Sequence, residues 1–362
     1  MSKNNSINFW RVIFTISIVI YHFAGKYKQF NSIFNAKNGW RFAVEFFFIV
    51  SGFLLAYKCE YSDISAWEYT KHRFKRLFPI YFISLIMISV FNISNNSDSF
   101  KSVISYIYNL TDELMLLQGL GWHYVSVNGP AWYISVLLIW GYFIFYMLRK
   151  HKDYFSHFWA PLICIVVYSY INQKMGKVDG FMYDFSDVLG LSLGMLRGLA
   201  GMCAGVVSYE FYKKFKEVRL TNFGTAASNF GEIFGFCFVL AFTFFKGSTQ
   251  MDFYFVIVFI FCTAFAFSRK KERFWFKNRV IEFFSKISFS IYIVHYFILN
   301  IFLTIYSPKE FSWKVFVLYL ISTILLGVFC DYVCDVSLKQ IEKMRKKNGG
   351  FFIKRSSVLQ KK

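Results

Sequence analysis

The hydrophobic and polar positions of the chain alternate in long blocks. Apolar stretches follow one another from near the start to about residue 335, separated by shorter polar segments. Ten such stretches stand out, at about 7–25, 40–57, 77–93, 131–148, 158–173, 189–208, 228–245, 253–268, 287–305 and 314–335. Their length and unbroken apolarity predict helices that lie in or across a bilayer. The expected fold is all-α: a polytopic membrane helix bundle of about ten transmembrane helices. No period of 20–50 residues and no inverted duplication is visible, so one transmembrane unit is expected over 1–335. The remaining 336–362 form a basic tail whose Gly349-Gly350 and mixed polar residues predict loose order. The longest connection, 94–130, is rich in Asn and Ser early and aromatic around Trp122-His123-Tyr124; it is expected to be a lid over an outward-facing cavity.

Composition supports the membrane reading. The 362 residues are 56% hydrophobic, include 49 phenylalanines and have a mean hydropathy of +0.41, more than a soluble domain of this size can bury. No cleavage pattern follows the first stretch, which is expected to stay as a span. The seven cysteines are scattered without a Cys-x-x-Cys pair, so neither disulfides nor a metal site is expected.

The net charge of +20 would suit nucleic-acid binding, but its distribution excludes that partner. With the N-terminus placed in the cytoplasm, 29 of the 41 lysines and arginines fall in inside segments and 8 in outside segments. The other four, Arg11, Arg41, Arg197 and Lys314, fall within spans. This is the positive-inside bias, with both termini cytoplasmic and the basic segments drawn to anionic inner-leaflet lipid.

Candidate chemistry lies in the polar residues inside apolar stretches, which are costly unless they face a polar cavity. Arg11 and His22 are eleven residues apart in the first stretch, about three turns and about 16 Å along one helix face. Glu45, near the outer end of the second stretch, is placed to meet His22 and orient it as a general base. A structural pair of Glu45 with Arg41 is the plainer alternative. At the mouth of the third stretch, Lys71-His72-Arg73-Phe74-Lys75-Arg76 supplies a phosphate clamp from Arg73 and Arg76, with Lys75 beside them, though topology alone also explains the run. Arg197 is flanked by Gly194 and Gly198. Ser51-Gly52 is a site of close helix approach. Pro130-Ala131-Trp132-Tyr133-Ile134-Ser135 opens the fourth stretch, and His295 lies in the ninth. These residues alone imply a polar-lined membrane cavity with a basic cytosolic mouth.

In these blocks the sequence resembles the acyltransferase-3 family of integral-membrane O-acyltransferases. The matching blocks, in order, are Arg11 with His22, Glu45 to Leu54, the Arg73–Arg76 group with Pro79-Ile80-Tyr81, and Ser288 to His295. Pro130 to Ser135 looks like the family's tryptophan–serine block as found in polysaccharide acetyltransferases, although Leu137 stands where many members carry an acid. The resemblance implies transfer of an acetyl group from acetyl-CoA to a sugar hydroxyl of O-antigen, capsule or exopolysaccharide, or of a lipid-linked precursor, in the bacterial inner membrane. On it, Arg11, His22 and Glu45 are the expected catalytic residues. Arg73, Lys75, Arg76 and Arg197 are expected to bind CoA, and Trp132, Ser135, His295 and His123 the acceptor. An acyltransferase for a small molecule or lipid is the nearer alternative. A transporter using Arg11, His22 and Glu45 as a pathway is the more distant one.

Overall fold

The side chain of Asn4 accepts the Ile7 amide at 3.0 Å, satisfying one of the donors that a helix start leaves bare. Helix α1 follows as Asn5–Lys26. The computed structural model describes residues 4–34, 39–96, 100–121, 127–179, 184, 186, 190–217, 222–268, 278–307 and 312–359. Its other principal helices are α2 (Ala43–Glu60), α3 (Ala66–Asn96), α4 (Phe100–Leu114), α5 (Trp132–Lys150) and α6 (Ala160–Met175). They continue as α7 (Leu193–Glu217), α8 (Asn222–Lys246), α9 (Asp252–Ser268), α10 (Arg279–Ile305) and α11 (Trp313–Leu359).

All except α4 fall on the ten predicted stretches. Eight helices among the described residues are long and apolar enough to cross a membrane, and the protein is a polytopic bundle of them. The other two predicted stretches are α9, with 17 residues, and α7. Helix α7 is buried along most of its length, so its residues face protein on every side and need not match lipid. It packs backbone to backbone on α2: a Cβ on Gly52 would overlap the Met202 carbonyl, and one on Gly205 the Ile49 carbonyl. The close approach expected at Ser51-Gly52 is therefore present. Outside that seam, Phe14 of α1 stacks on Phe46 of α2 at 4.4 Å and meets Phe236 of α8 and Phe259 of α9 edge-on. Lipid is as apolar as these rings, so they stabilise the bundle by close packing more than by leaving solvent.

Three elements depart from expectation. Helix α3 begins at Ala66, eleven residues before the predicted start. Ser65 and Glu68 cap it reciprocally, Glu68 accepting the Ser65 amide at 2.8 Å and Ser65 Oγ the Glu68 amide at 3.1 Å. The basic run is therefore helical, with Tyr69, Arg73 and Arg76 on one face.

The second departure corrects the outer lid. Helix α4 folds back along α3: Tyr106 bonds Ser89 Oγ at 3.2 Å, and Glu113 accepts the Tyr81 hydroxyl at 2.7 Å and the Val127 amide at 2.9 Å. Asn128 then donates to Ser84 Oγ at 3.0 Å and to the Ile293 carbonyl at 3.2 Å. Tyr81 lies fifteen residues below the outer end of α3, about 22 Å at 1.5 Å per residue. Residues 113–131 thus re-enter the bundle, where irregular backbone is tolerated because protein groups satisfy it. Third, α11 continues past Asp335 to Leu359 as helix where a loosely ordered tail was expected.

Candidate functional site

A cavity of about 1150 Å³ runs into the bundle between α1, α2, α3, α5 and α10. Its mouth carries Lys58, His72, Arg76, Arg279 and Lys286, at the end of the bundle that the charge bias assigns to the cytoplasm. Along α1 the lining extends from Asn4 to Ile18, fourteen residues or about 21 Å of helix. Its deep end is made by Ile18, Val44, Tyr133 and Tyr292. Arg11 lies part-way down and donates from Nη2 to Ser288 Oγ at 3.4 Å. Arg73 is held in place, Nη1 donating to the Tyr69 hydroxyl at 2.6 Å and Nη2 to Ser51 Oγ at 3.0 Å. Arg76 lines the same wall and makes no hydrogen bond or ion pair among the described residues. A preset guanidinium beside an uncommitted one, above a long and partly apolar shaft, fits an anionic head carrying a slender chain.

His22 sits one turn beyond Ile18, just past the deep end. It is half-buried, and its ring lies 5.0 Å from that of His295 and 5.7 Å from that of Tyr296, centroid to centroid. Ser288, Tyr292 and His295 share one face of α10, so the wall that begins at the Arg11–Ser288 bond ends at the paired imidazoles.

Residues 4–332 match the family model described as "Acyltransferase domain", Acyl_transf_3. The chain belongs to the acyltransferase-3 family. No curated protein and no solved structure matches it.

Within this acyltransferase, the expected approach of Glu45 to His22 does not occur. Glu45 is fully buried and takes hydrogen bonds from Arg197 and from the Tyr168 hydroxyl instead. Arg197 also lies 3.8 Å from Asp179 and donates to the Arg41 carbonyl at 3.1 Å, while Arg41 pairs with Asp179 through its own guanidinium. Arg41, Arg197 and Lys177, which lies 3.5 Å from Asp179, thus surround the two carboxylates where α2, α7 and the segment after α6 meet. The fully buried guanidinium of Arg197 needs the nearest carboxylate more than a neutral imidazole does. The simpler Glu45–Arg41 pair is likewise replaced by Glu45–Arg197. Arg197 therefore does not line the basic cavity and is corrected from a CoA contact to a structural one. Lys75 is exposed and does not line the cavity either, because α3 turns it away from the Tyr69–Arg73–Arg76 face.

The acceptor set is divided. Trp132 is buried beside Phe48, with ring centroids 5.9 Å apart. Ser135 Oγ accepts the Gly119 amide at 3.2 Å, so it holds the re-entrant segment in place. Neither residue lines the cavity; Tyr133, between them, does. His295 stands beside His22, and His123 lies outside the described residues. Tyr69, Tyr133, Tyr292 and Ser288 also line the cavity, though none of them is among the expected site residues. The signal was present as helical spacing: Tyr69 precedes Arg73 by four residues, and Ser288, Tyr292 and His295 recur at four and three.

Proposed function

We propose that this acyltransferase moves an acetyl group from acetyl-CoA to a hydroxyl of a cell-surface polysaccharide, or of its lipid-linked precursor, in the inner membrane of a bacterium. One observation carries the reading: a basic-mouthed cavity crosses the bundle and stops one turn short of His22. The sequence alone left a gap between a phosphate clamp at the inner face and a histidine near the outer one, and a shaft of about 21 Å spans most of it.

In this reading Arg73 and Arg76 hold the phosphates of the donor at the mouth, and the shaft takes its chain. Arg11 is about 16 Å from His22 along α1, too far to act on the reacting carbonyl. It serves the chain part-way down, with Ser288. His22 removes the proton of the acceptor hydroxyl as that oxygen attacks the thioester carbon. The C–O bond forms, the C–S bond breaks, and the proton passes from His22 to the departing thiolate.

The test is mass spectrometry of surface polysaccharide from strains carrying the wild-type gene, no gene, or His22→Ala. Acetyl groups should be lost in the last two while the variant protein accumulates in the membrane. Unchanged acetyl content without the gene would refute the polysaccharide acceptor. Absence of thermal stabilisation of the purified protein by CoA would refute the donor.

A further inference from the structure

We infer that His295 is the positioning residue for His22, occupying the place in which a carboxylate was expected. The inference rests on reading His22 as the base and adds how that base is oriented.

Three observations lead to it. His295 Nδ1 is 2.6 Å from the Tyr292 carbonyl oxygen, and only a protonated nitrogen bonds a carbonyl, so Nδ1 carries the hydrogen. In neutral imidazole the other nitrogen, Nε2, is then a bare acceptor. Nε2 is buried and meets no partner among the described residues. The His22 ring, tilted by 46°, is its aromatic neighbour at 5.0 Å between centroids. At that spacing a nitrogen of one imidazole comes within hydrogen-bond reach of a nitrogen of the other after a small turn of the ring. Contacts of this kind are commonly open without substrate and close when it binds.

Two other groups near this end of the shaft are already engaged, whereas the Nε2 lone pair of His295 is unused among the described residues. Glu45 is committed to Arg197 and Tyr168, and the Tyr292 hydroxyl donates to the Pro130 carbonyl at 2.7 Å. That last bond, together with Asn128 on the Ile293 carbonyl at 3.2 Å, fixes this part of α10 against the re-entrant segment. His295 is thus a rigid acceptor facing a half-buried, more accessible ring. It accepts the N–H of His22, which keeps the other His22 nitrogen bare toward the acceptor hydroxyl. When that nitrogen takes the proton, the same lone pair of His295 shares the charge of the imidazolium.

The test compares His295→Leu, His295→Gln and His295→Asn in purified, reconstituted protein, measuring kcat and the KM for acetyl-CoA, with His22→Ala alongside. The Leu variant should lose about 100-fold in kcat with the KM changed less than about 3-fold, the range of general acid–base effects. Gln and Asn retain an acceptor and should recover to within about 10-fold of wild type. Equal losses in Leu, Gln and Asn variants would mean that His295 only fills space, and a fully active Leu variant would also overturn the inference. If the Leu protein does not accumulate, His295→Phe, which fills the space without an acceptor, takes its place: loss of kcat in Phe with retention in Asn supports the pair, and a folded but inactive Asn protein or a fully active Phe protein refutes it. An active His22→Ala protein would instead overturn the assignment of the base.

Discussion

The two arginines of the α3 face differ in what holds them, and that difference predicts their separate effects. Arg73 is tied to Tyr69 and Ser51, whereas Arg76 keeps its donors free at the cavity mouth. Arg76→Ala should weaken acetyl-CoA affinity by about 10-fold, the effect of one charge-assisted contact, without lowering stability. Arg73→Ala should weaken affinity as much and also loosen the Ser51–Tyr133 side of the shaft. Lys75→Ala, on the outward side of the helix, should leave affinity unchanged. Calorimetric titration of the purified protein separates the three, and a Lys75 effect equal to that of Arg76 would contradict the orientation of α3. At Glu45–Arg197 the expected effect is on stability. Arg197→Met leaves a buried carboxylate unneutralised and should cost about 3–5 kcal/mol, much of it restored by adding Glu45→Leu. Thermal melting in detergent measures both, and a double variant no more stable than the single one would argue against the pair. The sequence made these residues visible as intramembrane charges. It did not reveal their partners, because Glu45 chooses between His22 and Arg197 according to which helix α2 packs on, and that choice is written in the glycines of α2 and α7.

Helices were legible in the sequence wherever lipid surrounds them, since a lipid-facing helix must be apolar over its whole exposed surface. Helix α7 was found by its apolar flanks, although its burial relaxes that demand. Helix α4 does not stand out in the hydrophobic pattern because it begins in a polar run that continues into the connection. Its stripe of Ile104, Ile107 and Tyr108, all exposed, was already in the sequence. What could not be read was the return of the chain into the bundle, which depends on Glu113 meeting Tyr81 thirty-two residues away. Removing that carboxylate tests the element. Glu113→Ala strands the buried Val127 amide, while the Tyr81 hydroxyl keeps the Glu113 backbone carbonyl at 2.8 Å, and should destabilise by about 1–3 kcal/mol for the one unsatisfied group. Because residues 127–131 brace α10 beside His295, kcat should fall with it while acetyl-CoA affinity, set at the far end of the shaft, holds. A melting temperature equal to that of wild type would show that the segment is held by other contacts.

For the whole molecule, charge distribution and cavity shape make one joint prediction about sidedness. The mouth opens where Lys58, Arg76, Arg279 and Lys286 gather, and the positive-inside bias puts that end in the cytoplasm. The deep end closes beneath His22, so on the proposed reading a donor entering from the cytoplasm would deliver its acyl group towards the outer half of the bundle without itself crossing. Sealed vesicles test this, because acetyl-CoA is too charged to cross lipid. Inside-out vesicles given radiolabelled acetyl-CoA externally should label their own glycans. Right-side-out vesicles given the same donor should not, and should begin to do so when made permeable. Since the mouth is a cluster of exposed cations, raising salt tenfold should increase the KM for acetyl-CoA by screening while kcat, set at the deep end far from those cations, changes little. Equal labelling in both vesicle orientations would mean that the donor does not enter by this cavity, and the assignment of Arg73 and Arg76 would fail with it.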